Sequence, residues 1–360
     1  MSVAPLVLLV QLASLAPSQV ADLVVHFEIV EGHGASSGDR STIYRSGSLI
    51  HTDWTLYRNT TGSSYFDRAR GLAVSASRNR DGALVGVSVR IGQSVSQPRR
   101  LATGRHDRTL GEECTILRLI EENRMSGTEI CETADGIPLW EAFWYPHSND
   151  RTVMYKRATM IERRPVRPEE VLPPRDLLAL AFATVTPVRA GAAGADYEVE
   201  MVGDDPADGS YVIRRHGQFF SETRRTPRER SLRVSNGTIL VNYEENEWGQ
   251  PRSLEISRTG EHPFAESVPR WDRLPGRPRV QLLGETCTWQ EDAAMRSTDQ
   301  NYYCRTADNI VLKTETLFHW TGRTQRFTAR RVSRRPLQDT DFAPPARILD
   351  WAYWGVTPAP

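Results

Sequence analysis

Apolar and polar residues alternate along several short stretches of this chain. In Tyr197–Met201, for example, every second residue is apolar and the two residues between are glutamates. A period of two places alternate side chains on opposite faces of a sheet, so one face is expected to be buried and the other to meet water. Leu23–Ile29, Ile310–Trp320 and Thr324–Val332 repeat this pattern. The chain is therefore predicted to be mainly β.

Pairs of residues that favour tight turns separate these stretches. Glycine adopts positive φ without steric cost, and an X-Gly pair between two alternating runs is typical of a β-hairpin. Hairpins or turns are predicted at Ser46-Gly47, Asp81-Gly82, Asp135-Gly136, His216-Gly217 and Asn236-Gly237.

Two stretches follow a helical spacing instead. Pro173-Pro174 precedes Arg175–Val185, and Pro344-Pro345 precedes Ala346–Val356. In both, apolar residues recur at intervals of three and four, and proline suits the first turn of a helix. Each stretch is predicted to be an amphipathic α-helix.

The second half of the sequence repeats the first. Gly111–Thr115 recurs as Gly284–Thr288, and Cys131–Leu139 recurs as Cys304–Leu312, in each case 173 positions further on. A period this long indicates two copies of one domain, because solenoid units are much shorter. We therefore expect two tandem copies of an antiparallel, curved sheet or incomplete barrel, each closed by one C-terminal amphipathic helix.

The repeat also sets the expected domain boundaries. A run of glycine and alanine after the first helix is typical of a linker. The predicted division is a signal peptide at 1–21, a first β-rich repeat at 22–187, a linker at 188–194 and a second β-rich repeat at 195–360.

Four cysteines allow three pairings, and the repeat selects one of them. Each copy contains two cysteines with sixteen residues between them, so we predict the bridges Cys114–Cys131 and Cys287–Cys304. A hairpin centred in the polar run Glu121–Arg124 would bring the first pair face to face across antiparallel strands. Zinc would call for closely spaced cysteine pairs or histidine partners, so no metal site is expected.

The N-terminus suggests export. Residues 4–16 are apolar, too short a run for a membrane span of about 20 residues but long enough for a signal-peptide core. No lysine or arginine precedes this run, and the alternative is a buried N-terminal strand or helix. With the disulfides, the run favours a periplasmic or secreted protein without a transmembrane segment in the mature chain.

Charge and motifs exclude some functions. Basic and acidic residues balance at 45 each, which gives no reason to expect nucleic acid as a partner. Gly34–Gly38 fits a serine-nucleophile motif around Ser36, but the motif requires a following helix and a strand is expected there. We identify no catalytic residue and expect no cofactor.

Aromatic side chains are the remaining candidates for function. Three crowd one predicted strand and three the terminal predicted helix, where they could line an apolar site. Alternatively they fill the core or pack against the other domain. The candidate ligand-binding residues are Trp140, Phe143, Trp144, Trp351, Tyr353 and Trp354.

The signal-like start, the β-rich domains and the proline-led helices together resemble the periplasmic lipoprotein-carrier fold of Gram-negative envelopes. That resemblance implies an incomplete antiparallel β-barrel whose concave face is covered by helices and holds lipid chains. The chain departs from it in its hairpin disulfides, its two copies and its few helices. No residue role is carried over, so the functional analogy is one of fold.

The leading expectation is an exported, non-catalytic, two-domain β protein that binds an apolar or amphipathic ligand, such as a lipid, or an envelope protein. The alternative is a purely structural or protein-interaction module of the cell envelope. A hydrolase with an unrecognised site ranks third.

Overall fold

The computed structural model describes residues 22–31, 36–56, 60–92, 99–120, 127–144, 154–183, 196–217, 219–235, 238–258, 271–274, 276–292, 299–319 and 321–360. The predicted signal peptide, the linker at 188–194 and the predicted turn at Glu121–Arg124 lie outside these residues.

Strands dominate the part of the chain before the linker, which we call the first half. They are β1 (Leu23–Glu31), β2 (Ser36–Ser46), β3 (Leu49–Leu56), β4 (Thr60–Asp67), β5 (Leu72–Arg78), β6 (Leu84–Ile91), β7 (Arg99–Thr109), β8 (Glu112–Ile120), β9 (Gly127–Glu132), β10 (Pro138–Trp144) and β11 (Met154–Glu162).

Strands also dominate residues 196–360, which we call the second half. Its strands are β12 (Tyr197–Gly203), β13 (Ser210–His216), β14 (Phe219–Arg225), β15 (Glu229–Ser235), β16 (Ile239–Asn246), β17 (Pro251–Arg258), β18 (Trp271–Arg273), β19 (Val280–Leu282), β20 (Glu285–Asp292), β21 (Asp299–Arg305), β22 (Val311–Phe318) and β23 (Arg323–Ser333).

Helical elements are short. The α-helices are α1 (Pro168–Val171) and α2 (Leu177–Ala183), and 3₁₀ turns span Pro206–Asp208, Asp339–Phe342, Ala346–Leu349 and Trp351–Trp354. Within the described residues, no helix has the length and apolar character needed to cross a membrane.

The strands form one large antiparallel sheet. In the first half the spatial order is β7-β8-β9-β10-β11-β1-β2-β3-β4-β5-β6. In the second half the corresponding order is β20-β21-β22-β23-β12-β13-β14-β15-β16-β17, with β18 and β19 both beside β20. The sheet is not closed into a ring. The prediction of a mainly β, antiparallel protein is confirmed.

The two halves are joined edge to edge by β6 and β17. These strands pair antiparallel, with Val89 opposite Leu254, Ser88 opposite Glu255 and Val87 opposite Ile256. Backbone hydrogen bonding therefore runs without a break from one half into the other, and neither strand is left as a free edge.

Both predicted disulfides are present. Cys114–Cys131 and Cys287–Cys304 have Cα–Cα distances of 5.3 and 5.2 Å. The register differs from the expected one, because Ile116 lies opposite Cys131 and the bonded cysteines are diagonal neighbours. The hairpin is thus centred about one residue later than predicted, which keeps both sulfurs on the buried face.

The turn after the second cysteine of each half has the same side-chain bonds. Thr133 donates its hydroxyl to Asp135 and accepts the backbone N–H of Ile137 at 2.9 Å. Thr306 bonds to Asp308 and Ile310 in the same way, again at 2.9 Å for the N–H. These bonds explain why both turns are built around a Thr-x-Asp sequence.

The largest apolar cluster lies where the halves meet, and we call it the joint core. It collects apolar residues from the central strands of both halves, from α2 and from the C-terminal segment. Its members include Leu72, Val74, Val87, Val89, Leu177, Leu178, Val241, Tyr243, Leu254, Ile256, Ile348, Trp351, Trp354 and Val356. Separate clusters surround each disulfide.

The prediction of a C-terminal α-helix at Ala346–Val356 is wrong. This segment forms two 3₁₀ turns separated by Asp350, whose carboxylate accepts the N–H of Ala352 at 2.9 Å. Capping by an aspartate starts a new turn, and it lets Trp351 and Trp354 both enter the joint core. The predicted helix at Arg175–Val185 is shorter as described, Leu177–Ala183.

Candidate ligand-binding groove

A groove of about 460 Å³ lies on one face of β13–β16 and is bordered by residues 340–347. The antiparallel register brings its wall residues together, because Thr223 lies opposite Leu232 and Leu232 lies opposite Tyr243. Neighbouring side chains in such a row share one face of the sheet. A volume of this size is within the range that accommodates small molecules.

One side of the groove is apolar. Leu232 and the ring of Tyr243 come from the sheet, and Ala343 and Pro345 come from the bordering segment. Tyr243 is a buried member of the joint core. The apolar side of the groove is therefore continuous with the joint core through Tyr243.

Glu245 is the anchor of a polar network at the end of this wall. Its side chain is 8% exposed, and it accepts hydrogen bonds from the Tyr243 hydroxyl at 2.8 Å and from Arg347 at 3.1 Å. Arg230 approaches it at 3.7 Å. Burial, with the hydrogen bonds to Tyr353 and Glu245, raises the pKa of Tyr243 well above its usual range. The tyrosine therefore stays protonated and donates to the carboxylate.

Asp341 and Arg214 belong to a second network on the opposite side. Arg214 donates to Glu198 at 2.8 Å and lies 3.8 Å from Asp341. Arg335 donates to both Asp341 and Glu198. The bonds from Arg335 and from the backbone N–H of Gln338 hold the pKa of Asp341 below its usual value. The charges on this side thus largely compensate each other.

The end of the groove that we call its mouth carries two arginines beside Glu245, which lies opposite Arg230 on β16. Arg225 on β14 and Arg230 on β15 lie directly opposite each other. Both line the groove. Like charges opposed across two strands destabilise a sheet, since their Cβ atoms are about 4.5–5.5 Å apart. Arg225 and Arg230 are therefore expected to repel each other at this end of the groove.

The first half has a different cluster on its third strand. There His51 stacks between Tyr44 and Tyr65, with ring centroids 5.2 and 4.1 Å away. Its Nδ1 donates to the carbonyl oxygen of Glu170 at 2.6 Å, and Nε2 lies 2.9 Å from Asp53. Burial raises the pKa of Asp53, but hydrogen bonds from His51 and Ser63 outweigh the effect of burial and hold this pKa below its usual value. His51 and Tyr65 lie directly opposite each other on β3 and β4, so their side chains share one face of the sheet.

The aromatic residues predicted to bind a ligand lie mainly in cores. Trp140 is buried beside the first disulfide and donates its indole N–H to Asp107 at 2.9 Å. Trp351 and Trp354 are buried in the joint core. Phe143 and Trp144 are in β10, but their side chains lie outside the described part of the structure.

Tyr353 is not part of the groove's lining, but it contacts two residues that are, Tyr243 and Arg347. Its hydroxyl is 2.5 Å from the hydroxyl of Tyr243, and Arg347 lies over its ring at 5.4 Å from the centroid. It also packs against the joint core. The structure thus brings Trp351, Tyr353 and Trp354 together beside the groove, without making the two tryptophans its lining.

Sequence reasoning missed the residues that line the groove. The signal that pointed to them is the density of arginine in Arg224–Arg230, where four of seven residues are arginines. Which of those side chains face the groove depends on the register between β14 and β15. Within the described residues, no group of three histidine, cysteine or carboxylate side chains could hold a metal ion.

No family model matches this chain, and no curated protein matches it. Two solved structures of PNGF-II are similar to it, one in space group C2 and one in space group P21. They share 7% identity over 79% of this chain, cover 75% and 76% of PNGF-II, and give TM-scores of 0.31 and 0.33. A likeness of this size carries no conclusion about fold or function.

Proposed function

We propose that this chain is an exported, non-catalytic, two-domain β protein that binds an amphipathic ligand in the groove. The observation that carries the proposal is the division of the groove into an apolar wall, with Leu232 and Tyr243, and a basic mouth, with Arg225 and Arg230. An amphipathic molecule would bury its apolar part against the apolar wall and leave its polar part at the mouth.

The two domains are proposed to be copies of one incomplete barrel, each closed by its C-terminal segment. Support comes from matching ion pairs: Arg163 contacts Glu112 and Asp135, while Arg334 contacts Glu285 and Asp308. Each half also begins with an aspartate whose carboxylate accepts a backbone N–H from a residue after the last strand of that half. These bonds join Asp22 to Val166 at 3.1 Å and Asp196 to Leu337 at 2.8 Å.

Export is supported by the two disulfides, which persist in oxidising compartments. Together with the apolar N-terminal run, they favour a periplasmic or secreted protein whose signal peptide covers residues 1–21. The resemblance to lipoprotein carriers agrees with an amphipathic ligand, as an analogy of fold.

Binding without catalysis is supported by the raised pKa of Tyr243, which keeps this hydroxyl protonated. Tyr243 has a raised pKa and donates to Glu245, which in turn contacts Arg347 and Arg230. A general acid or base works best when its pKa is near the operating pH. Tyr243 is therefore better suited to positioning a ligand than to proton transfer.

Native mass spectrometry of protein purified from its host tests the proposal. We expect a bound small molecule on the wild-type protein and its loss from Thr223→Trp, which fills the groove. Arg228→Trp on the same hairpin is the matched control, because Arg228 is exposed and does not line the groove. The midpoint of thermal unfolding shows whether Thr223→Trp folds.

A wild-type protein that carries no ligand and shows no lipid-induced change in tryptophan fluorescence would contradict the proposal. So would a ligand that stays bound to a folded Thr223→Trp variant.

A structural or interaction module of the cell envelope is the second candidate. It is favoured by the burial of Trp351 and Trp354 in the joint core, where they hold the two halves together. Cleavage at a protease site inserted in the linker at 188–194 tests it. If the separated halves stay soluble and monomeric, the aromatic residues are not needed to join them.

A further inference from the structure

We propose that the polar group of the groove's ligand is an anion, a carboxylate or a phosphate, held by Arg225 and Arg230. This inference rests on the proposed binding function, because it concerns the same groove, and it names the chemical class that the groove selects.

The argument starts from the balance of charge in the groove. Its lining carries four arginines, Arg214, Arg225, Arg230 and Arg347, and two carboxylates, Glu245 and Asp341. At neutral pH the lining is therefore positively charged. A basic, partly enclosed cleft raises the local concentration of anions.

The partners of these arginines differ. Arg214 is hydrogen-bonded to Glu198, and Arg347 to Glu245. Arg230 is half exposed and forms a longer ion pair with Glu245, at 3.7 Å. Across the described part of the chain, no carboxylate forms an ion pair with Arg225. Arg225 is therefore the lining arginine whose charge is least compensated, and Arg230 beside it shares a carboxylate with Arg347.

The geometry of the mouth suits an oxyanion. Arg225 and Arg230 are directly opposed, so their guanidinium groups can approach one anion from two sides. Arginine donates two parallel N–H bonds to a carboxylate or a phosphate, and such charge-assisted bonds are stronger than neutral ones. An anion bound here would also relieve the repulsion between the two arginines.

The backbone holds this pair in place. Thr226 accepts the backbone N–H groups of Arg228 and Glu229, each at 3.2 Å, and fixes the turn between β14 and β15. Thr226 N–H also bonds to the carbonyl oxygen of Glu229 at 2.9 Å. The backbone of the two arginines is therefore fixed on either side of a hydrogen-bonded turn, and only their side chains have to be ordered on binding.

Isothermal titration calorimetry below the critical micelle concentration tests the inference. Three probes share a C12 chain: dodecyl phosphate, dodecanoate and the neutral dodecyl maltoside. We expect the anionic probes to bind about ten-fold more tightly than the neutral one, as charge-assisted hydrogen bonds imply. Binding of both anions, or of one of them selectively, supports the inference, and selectivity identifies the source as phosphate or carboxylate.

Variants locate the site. Arg225→Gln and Arg230→Gln should each weaken the anionic probes about ten-fold and leave the neutral probe unchanged. Arg228→Gln is the matched control and should bind all probes like the wild type. Circular dichroism and the unfolding midpoint establish that each variant is folded.

The two possible failures are distinguishable. Equal binding of anionic and neutral probes, or anion binding that survives both arginine substitutions, overturns the choice of an anion while the groove remains a binding site. Absence of binding by all three probes overturns the proposed function as well.

Discussion

Trp351 donates its indole N–H to the carbonyl oxygen of Arg175 at 2.8 Å, across 176 residues of sequence. A second bond, from the N–H of Ala359 to the carbonyl oxygen of Pro173 at 2.9 Å, lies beside it. The C-terminal segment of the chain is thus fastened to the residues that lead into α2. The end of the second half completes the apolar packing at the end of the first.

Replacing Trp351 by phenylalanine should therefore lower the stability of the whole protein. Loss of the donor leaves the Arg175 carbonyl without its partner and removes part of a buried ring, so we expect a loss of roughly 1–3 kcal/mol in the free energy of unfolding. Chemical denaturation measures it. Trp248→Phe is the control, since Trp248 is 75% exposed and should change stability little. Equal effects of the two substitutions would contradict the role of Trp351.

Glu170 makes the stability of the first half sensitive to acid. Hydrogen bonds from the Arg164 side chain and the Arg167 backbone lower its pKa to about 2, from a usual 4.5. A lowered folded-state pKa contributes stability that is complete above the usual pKa and is lost as pH falls toward the folded value. Between pH 5 and pH 2, the unfolding free energy of Glu170→Gln should thus fall less than that of the wild type.

The control for this measurement is Glu169→Gln at the neighbouring, half-exposed position. It should follow the pH dependence of the wild type. If Glu170→Gln loses as much stability as the wild type over this range, the ion pair with Arg164 does not set the acid response.

Gly209 shows where a side chain cannot be accommodated. Its φ is +73°, and a Cβ atom there would lie 1.9 Å from the carbonyl oxygen of Arg225. Gly249 has a similar φ of +75° but open space around it. Gly249→Ala should cost roughly 1 kcal/mol for its positive φ. Gly209→Ala should cost at least about 2 kcal/mol more, because the added Cβ clashes with backbone and because the ψ of −145° at Gly209 lies outside the left-handed region. Urea denaturation of both variants measures the difference, and similar losses would contradict this prediction.

Glu245 should oppose the binding of anions. Removal of its charge by Glu245→Gln leaves the groove more basic, so we expect tighter binding of dodecyl phosphate in the calorimeter. The same change weakens the bonds with Tyr243 and Arg347 and should cost roughly 1–3 kcal/mol of stability. Glu244→Gln is the control, because Glu244 is exposed and bonds to Ser253 instead. Unchanged or weaker affinity in Glu245→Gln would contradict this electrostatic account.

Much of the fold could be predicted from the sequence, because its signals are local or repeated. Alternation over Tyr197–Met201 and Thr324–Val332 predicted β12 and β23, and the recurrence of the cysteine pairs predicted both disulfides. A hairpin disulfide depends on residues close in the chain, so spacing alone was informative.

The joint between the halves could not be predicted in this way. The spacing of Val87 and Val89 is typical of any strand with one buried face. It does not indicate that Leu254 and Ile256 are their partners. The C-terminal helix was mispredicted for a related reason, since the spacing of Ile348, Trp351 and Trp354 also suits two short turns. Tertiary packing at the joint core decided between them.

The groove could not be predicted from the sequence because its walls come from distant parts of the chain. Arg225 and Arg230 share a hairpin, but their common face follows from a register that the sequence leaves open. Ala343 and Pro345 join them only through folding. The clusters of aromatic residues in the sequence pointed to side chains that pack in the core. The arginines of the mouth gave a weaker signal in the sequence.

The pairing of β6 with β17 limits how the protein can move. Five consecutive residue pairs, from Ser253 opposite Arg90 to Ser257 opposite Gly86, join the halves. Rotating one half against the other would break the backbone hydrogen bonds between β6 and β17. The two halves are therefore expected to move as one rigid body, without a hinge at this seam. Any opening or closing of the groove would have to come from the segment at 340–347, which borders the groove without pairing with either strand of the seam.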